Sequence, residues 1–203
     1  MYCPEQYSKQ DKKYRYDFLQ QYPFATMVLQ GKSLLATHIP VLAKGGPEDF
    51  YLYSHIANSN PQYAHLEDGT EALFIFQGPH AYISSSWYTH DDISTWDYAA
   101  VHINAKIYRQ TAAQLETSLQ ELVYFFEKDQ EKPNYYHDIP QKLIQEHFPR
   151  ITGFTAKPTK IQAIAKYHQD FDGENVKNIC RKLSTTNNAM DDQVVKNIKK
   201  EHE

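Results

Sequence analysis

Between residues 24 and 108 one pattern recurs: a short apolar or alternating run, a turn signal, then another run. Phe24-Ala25-Thr26-Met27-Val28-Leu29 and the segment Leu34 to Val41 flank Gln30-Gly31 and read as a hairpin. Lys44-Gly45-Gly46-Pro47 is a turn ahead of a strand from Phe50 to His55. Leu73-Phe74-Ile75-Phe76 is continuously apolar, as in a strand buried on both faces. Gly78-Pro79 breaks it, and Ala81-Tyr82-Ile83-Ser84 resumes. Tyr98 to Tyr108 is the longest run. About six short strands joined by turns argue for a closed antiparallel barrel rather than alternating βαβ units.

Helices flank this region. Ser8 to Tyr22 reads as a first helix stopped by Pro23, and Asn60-Pro61 as a capped start running to about Leu66. Thr111 and Gln114 form a capping box for a helix to about Lys128, with Leu115, Leu119, Leu122, Val123 and Phe126 on its apolar face. Leu143 to Phe148 is a short helix, Gly153 to Tyr167 a last strand, and Glu174–Leu183 and Asp191–Lys200 two short polar helices. The expected organisation is a barrel domain over 1–169, with a helical insertion at about 111–148, and a helical tail over 170–203.

Several function classes fall away. None of the seven glycines forms a G-x-G pair, so a dinucleotide fingerprint, a phosphate loop and a nucleophile elbow are absent. Cys3 and Cys180 read as free thiols of a reducing compartment, not as a disulfide framework or zinc finger. With no signal-peptide pattern and no run of about 18–20 apolar residues, the expected location is cytoplasmic. Residues 1–156 carry 12 basic and 18 acidic side chains, and 157–203 carry nine and seven. Only the tail could offer a basic face to nucleic acid.

Three segments can carry chemistry. At Ser54-His55-Ile56-Ala57-Asn58-Ser59-Asn60-Pro61 a strand meets a helix start, whose free N–H groups suit a phosphate; the alternative is a helix cap and nothing more. Thr37-His38-Ile39-Pro40 places a histidine in an apolar strand, either as a ligand or as a hydrogen-bonded core residue, with His55 expected on an adjacent strand. Gln77 to Tyr88 mixes aromatic bodies with hydroxyls, fitting either a pocket for a planar ring or a tyrosine-rich core hairpin. His80, His90, Asp91, Asp92 and His102 lack metal-site spacing, so no metal is expected; Ser84, Ser85 and Ser86 lack a nucleophile turn.

At these residues the chain resembles the PaiB family, the FMN-binding negative transcriptional regulators of the split-barrel class. The matching residues are Met1-Tyr2 and Pro4, Ala36-Thr37-His38-Ile39-Pro40, His55-Ile56-Ala57 with Asn60-Pro61-Gln62, and the unbroken run from Phe76 to Tyr88. Thr95-Trp96 with Tyr98, Ala100-Val101-His102, and Ile151-Thr152-Gly153-Phe154 complete the series. The resemblance implies a mainly β fold with added helices: a Greek-key-like antiparallel split β-barrel that forms a homodimer and binds FMN. It assigns Thr37, His38 and Ile39 to the flavin and its ribityl-phosphate, and Ser54, His55, Ala57 and Asn60 to the phosphate. Trp87 is assigned to the ring pocket, and Lys166 keeps part of a late cofactor-binding pattern. DNA is a partner by resemblance alone, through Lys177, Arg181, Lys182, Lys196, Lys199 and Lys200. A flavin-dependent oxidoreductase, or a barrel that acts through protein contacts without flavin, stays open. Three positions depart from the pattern: Asn58 where related barrels carry Arg or Lys, Asp97 in place of Asn, and Asp170-Phe171 in place of Asn-Arg.

Overall fold

The computed structural model describes residues 1–203. Its strands are β1 (Phe24–Gln30), β2 (Leu34–Pro40), β3 (Leu42–Gly45), β4 (Phe50–Ala57), β5 (Glu71–Ile83), β6 (Thr95–Arg109) and β7 (Ile151–Lys166). They form one sheet in the order β2-β1-β5-β6-β7-β4-β3. The two ends of that order, β2 and β3, are consecutive in the chain and separated only by Val41. One bent run therefore supplies both edges, and the sheet closes on itself, which removes the liability of unpaired edges. The corner is held by Val41 N–H on the Pro23 carbonyl at 2.7 Å, and by the Ser54 hydroxyl on the Pro40 carbonyl at 2.6 Å.

The β1–β2 hairpin has the expected register, Phe24 opposite Pro40 through Gln30 opposite Leu34. Two local expectations change. Gly78-Pro79 does not end a strand: β5 runs straight through it, and the buried positions switch from Ala72, Phe74 and Phe76 to Ala81 and Ile83. Buried residues thus change parity at the Gly-Pro step, so each half of the strand keeps its own inward face. The helix expected after Asn60 is a 3-10 turn of five residues, Pro61–His65.

The helices are α1 (Lys12–Gln21), α2 (Ala112–Glu127), α3 (Gln141–His147), α4 (Gly173–Leu183) and α5 (Ala189–Glu201). Both bonds of the expected capping box at Thr111 and Gln114 are present at the start of α2.

The chain divides into two compact units, one of Met1–Phe18, Gln77–His102 and Gln162–Glu203, the other of Leu19–Phe76 and Ile103–Ile161. The second unit packs Leu19, Met27, Leu52, Phe74 and Phe154 in its core, with the last two rings 6.1 Å apart. There α2 lies so close to β7 that a Cβ on Gly153 would stand 2.2 Å from Gln110 Oε1 and 2.7 Å from Leu115 Cδ1. The first unit buries Ile83, Val101 and Tyr167 together with Val176, Ile179 and Leu183 of α4 and Val194 and Ile198 of α5. The expected boundary at 169/170 therefore separates no compact units. Spacings of three and four residues give α4 and α5 apolar stripes that are buried, not polar surfaces. No helix is long and apolar enough to cross a membrane, and both cysteines are free.

Candidate functional site

In the second unit, β2, the end of β4 and the turn that follows enclose an open cleft of about 280 Å³. Its lining includes Thr37 from β2, Ala57 from β4, and Ser59, Asn60 and Gln62 from the turn. Asn60 organises it: its side-chain oxygen accepts the Gln62 N–H at 2.9 Å, and its amide donates to Thr37 Oγ1 at 2.9 Å. Because Thr37 accepts there, its own O–H is left to donate. Gln62 is buried and gives its side-chain N–H groups to the carbonyls of Met27 (3.1 Å) and Leu35 (2.9 Å), stitching the turn to the hairpin.

The turn is not the open row of donors that the sequence suggested. Pro61 has no N–H, Gln62 N–H goes to the Asn60 side chain, and Tyr63 N–H to the Asn60 carbonyl. Asn60-Pro61 caps the turn, and what the cleft offers is hydroxyls rather than a helix terminus. No Lys or Arg lines it. Asn58 carries a structural duty: its amide donates to the Pro149 carbonyl at 3.0 Å and its oxygen accepts the Thr152 hydroxyl at 2.7 Å.

The other expected residues of this unit divide by strand parity. Leu52, Ser54 and Ile56 share the buried face of β4, so Ser54, 2% exposed, serves the barrel corner. His55 and Ala57 lie on the opposite face; burial pulls the His55 pKa down, which favours a neutral imidazole able to donate one N–H. On β2, Ile39 is core, whereas His38 is exposed and stacks on Phe24 with ring centroids 6.1 Å apart. His38 and His55 are not on paired strands, since β2 pairs only with β1 and β4 with β3 and β7.

Trp87 and Lys166 belong to the first unit. Trp87 ends a 3-10 turn, Ser85–Trp87, and is half-buried. The neighbouring serines are turned on their own loop: Ser84 Oγ accepts the Ser86 N–H, and Ser94 Oγ accepts the Ser85 N–H at 2.9 Å. Lys166 donates to Thr95 Oγ1 and to the Trp96 carbonyl.

Sequence reasoning missed the network around Asp97. This carboxylate is fully buried, with Oδ2 2.7 Å from His168 Nδ1, and His168 Nε2 lies 3.0 Å from the Tyr88 hydroxyl. Burial raises the Asp97 pKa against the opposing pull of His168, and Oδ1 has no hydrogen-bond partner. Burial, with Asp97 and Asp92 adding charge, pushes Tyr88 up to about 12, so it stays a phenol and a donor. Phe171 packs edge-on against His168 at 4.6 Å and against Tyr88 at 5.0 Å. The signal was in the strand: Asp97, Ala99, Val101 and Ile103 alternate inward, so an acid at the first of them needs a buried partner.

Residues 1–160 match a family model described as "Putative FMN-binding domain". The chain is 32% identical over 208 residues to Protease synthase and sporulation protein PAI 2 of Bacillus subtilis (strain 168), covering 98% of this chain and all of that protein. Among solved structures it resembles the FAD and heme binding protein from Mycobacterium smegmatis, with TM-score 0.60 and 13% identity over 84% of this chain and 78% of that one. It also resembles the flavocytochrome Anf3 from Azotobacter vinelandii, with TM-score 0.59 and 10% identity over 79% of this chain and 70% of that one. At these identities the structural likeness shows the fold alone, while the match along all of the Bacillus protein shows the family. The chain belongs to the PaiB family of FMN-binding split-barrel proteins.

Proposed function

We propose that the cleft between β2 and the Asn60-Pro61 turn holds the ribityl-phosphate side chain of FMN, through hydroxyl and amide contacts. One observation carries this reading: Thr37, Ala57 and Asn60, which the resemblance assigns to the cofactor from separate segments, line a single cleft. The residues fit the polar side chain of a flavin, since Thr37 and Ser59 bring hydroxyls and the space is open. When bound, FMN supplies redox chemistry; the chain's part is to hold and orient it. With no cation in the lining, the phosphate gains little from charge-assisted bonds, so FMN and riboflavin bind with similar affinity.

Titration of FMN against flavin fluorescence tests this. Thr37→Val removes one hydroxyl and weakens binding by about 2- to 10-fold, the net value of one hydrogen bond. Ala57→Leu fills the cleft and abolishes binding. Saturable binding untouched by both substitutions places the ligand elsewhere, and no binding at tens of micromolar FMN refutes the reading.

The same reading includes a homodimer and a regulatory role in the cytoplasm. Apolar side chains left exposed on α2 and α3, among them Tyr124, Phe126 and Leu143, are suited to cover by a second copy. A regulatory contact with DNA would use Lys177, Arg181 and Lys182 of α4 and Lys196, Lys199 and Lys200 of α5, all exposed because those helices bury their opposite faces. Its signature is retention of a promoter fragment that weakens steeply with salt.

A further inference from the structure

From Ala112 to Arg150, all within the second unit, Leu115 alone is buried. In this stretch α2 and the segment that returns along it enclose a cavity of about 510 Å³, lined by Gln120, Tyr124, Tyr135, Tyr136 and His137. It shares no residue with the cleft at Asn60. Steps of four residues put Glu116, Gln120 and Tyr124 on one face of α2. The returning segment is held by two carboxylates: Glu127 accepts the Asn134 N–H at 2.8 Å, and Asp138 accepts the Tyr135 N–H at 3.0 Å. Its rings meet the helix as a stacked array, Tyr135 against Tyr124 at 5.9 Å and against His137 at 5.8 Å. The Tyr136 hydroxyl is buried without a hydrogen-bond partner; burial and the charge of Glu116 raise its pKa, so it stays a neutral phenol.

Charge decides what such a cavity takes. No Lys or Arg lines it, and Lys128 lies over the Phe125 ring, 5.5 Å from its centroid, in the neighbouring cleft. Beside the rings stand the carboxylates of Glu116 and of Asp138, the latter 3.5 Å from His137 Nε2. The whole segment 111–150 carries seven acidic side chains and four basic ones. Tyrosine faces are the negative side of the ring quadrupole, so rings and carboxylates favour the same sign of ligand. An anion is repelled, and a neutral apolar molecule gains nothing from the carboxylates. Alkyl groups on a charged nitrogen weaken its hold on water and match the apolar ring surface. We propose that this cavity binds a small organic cation, an alkylated ammonium, against Tyr124, Tyr135 and Tyr136, with Glu116 as counter-charge. The site is separate from the flavin cleft, and the inference does not depend on the flavin reading.

Calorimetric titration of the full chain at constant ionic strength tests this with choline and with 3,3-dimethyl-1-butanol, which has carbon in place of the charged nitrogen. Choline binds saturably, and the neutral isostere binds about fivefold or more weakly. Tyr124 is 59% exposed, so Tyr124→Ala removes a ring without opening the core. It weakens choline binding by about 2- to 5-fold, Tyr124→Phe keeps the affinity, and Glu116→Gln loses about 2-fold or more. Circular dichroism and light scattering on the same samples report fold and oligomeric state. No saturation at tens of millimolar choline overturns the proposal, as does equal affinity for the two probes. Unchanged affinity in a folded Tyr124→Ala also overturns it. Tyr124 is among the side chains that a second copy could cover, so weakened binding that coincides with dissociation of a dimer overturns it too and makes the rings a subunit contact.

Discussion

Asp97 and His168 allow a charge to be separated from a hydrogen bond. The carboxylate is fully buried and His168 is 3% exposed, with 2.7 Å between Oδ2 and Nδ1. His168→Ala leaves a buried carboxylate without its partner, which costs about 3–5 kcal/mol. In a chain of this length that lowers the melting temperature by about 6–20 °C. Asp97→Asn differs: an amide oxygen still accepts from Nδ1–H, and the burial penalty on the charge is gone. Its stability at neutral pH therefore lies within about 1 kcal/mol of wild type or above it. The pH dependence has a definite sign. Burial raises the Asp97 pKa in the folded state, so through the window above its ordinary value of 3.8 the native chain holds more protons than the unfolded one. Stability from this group is greatest below that window and is lost as pH rises through the folded pKa. Asp97→Asn has no such loss, and gains on wild type as pH rises above the ordinary carboxyl value. Urea unfolding at several pH values, followed by circular dichroism, measures the difference. If Asp97→Asn falls as far as His168→Ala at pH 7, ion-pair attraction outweighs desolvation here and the reasoning fails.

Ser54→Ala tests the barrel corner. Stranding the Pro40 carbonyl in the interior costs about 1–3 kcal/mol in urea unfolding. A neutral result would show that Ser54 is free for other work. Gly153→Ala places a methyl group 2.2 Å from Gln110 Oε1 and 2.7 Å from Leu115 Cδ1. The expected cost is about 1–3 kcal/mol, and a fully stable variant would mean that α2 lifts from β7 without penalty.

Much of the barrel was legible because turn chemistry and apolar runs are local signals. The β1–β2 hairpin, the α2 capping box and the strand order of events from Phe24 to Tyr108 follow from them. Strand continuity across Gly78-Pro79 was not legible, because sheet neighbours hold β5 together where local preference would break it. The cap at Asn60 was legible, whereas the length of the turn was not: the side chain that caps it also ties it to Thr37, a contact that no local signal announces. At the site, composition drew attention to hydroxyls and histidines, whereas parity decides which of them face outward. Ser54 shares its face with Leu52 and Ile56, a fact available from the period-two pattern alone.

The departures from the family pattern do not behave as isolated losses. Asp97 would be costly alone, and His168 stands against it. His168 is held in a left-handed backbone conformation, φ 55°, with Phe171 packed on its ring and Tyr88 on its other nitrogen. Asp170 lies 3.4 Å from the Tyr7 hydroxyl, and the same stretch leads into α4 through the Asp172 cap, whose carboxylate accepts from Glu174 and Asn175 N–H. Asn175 then accepts the Thr89 N–H at 2.8 Å, next to Tyr88. Substituted positions far apart in sequence thus meet in one unit and satisfy one another. The stretch from His168 to Asn175 is an anchor for the C-terminal helices.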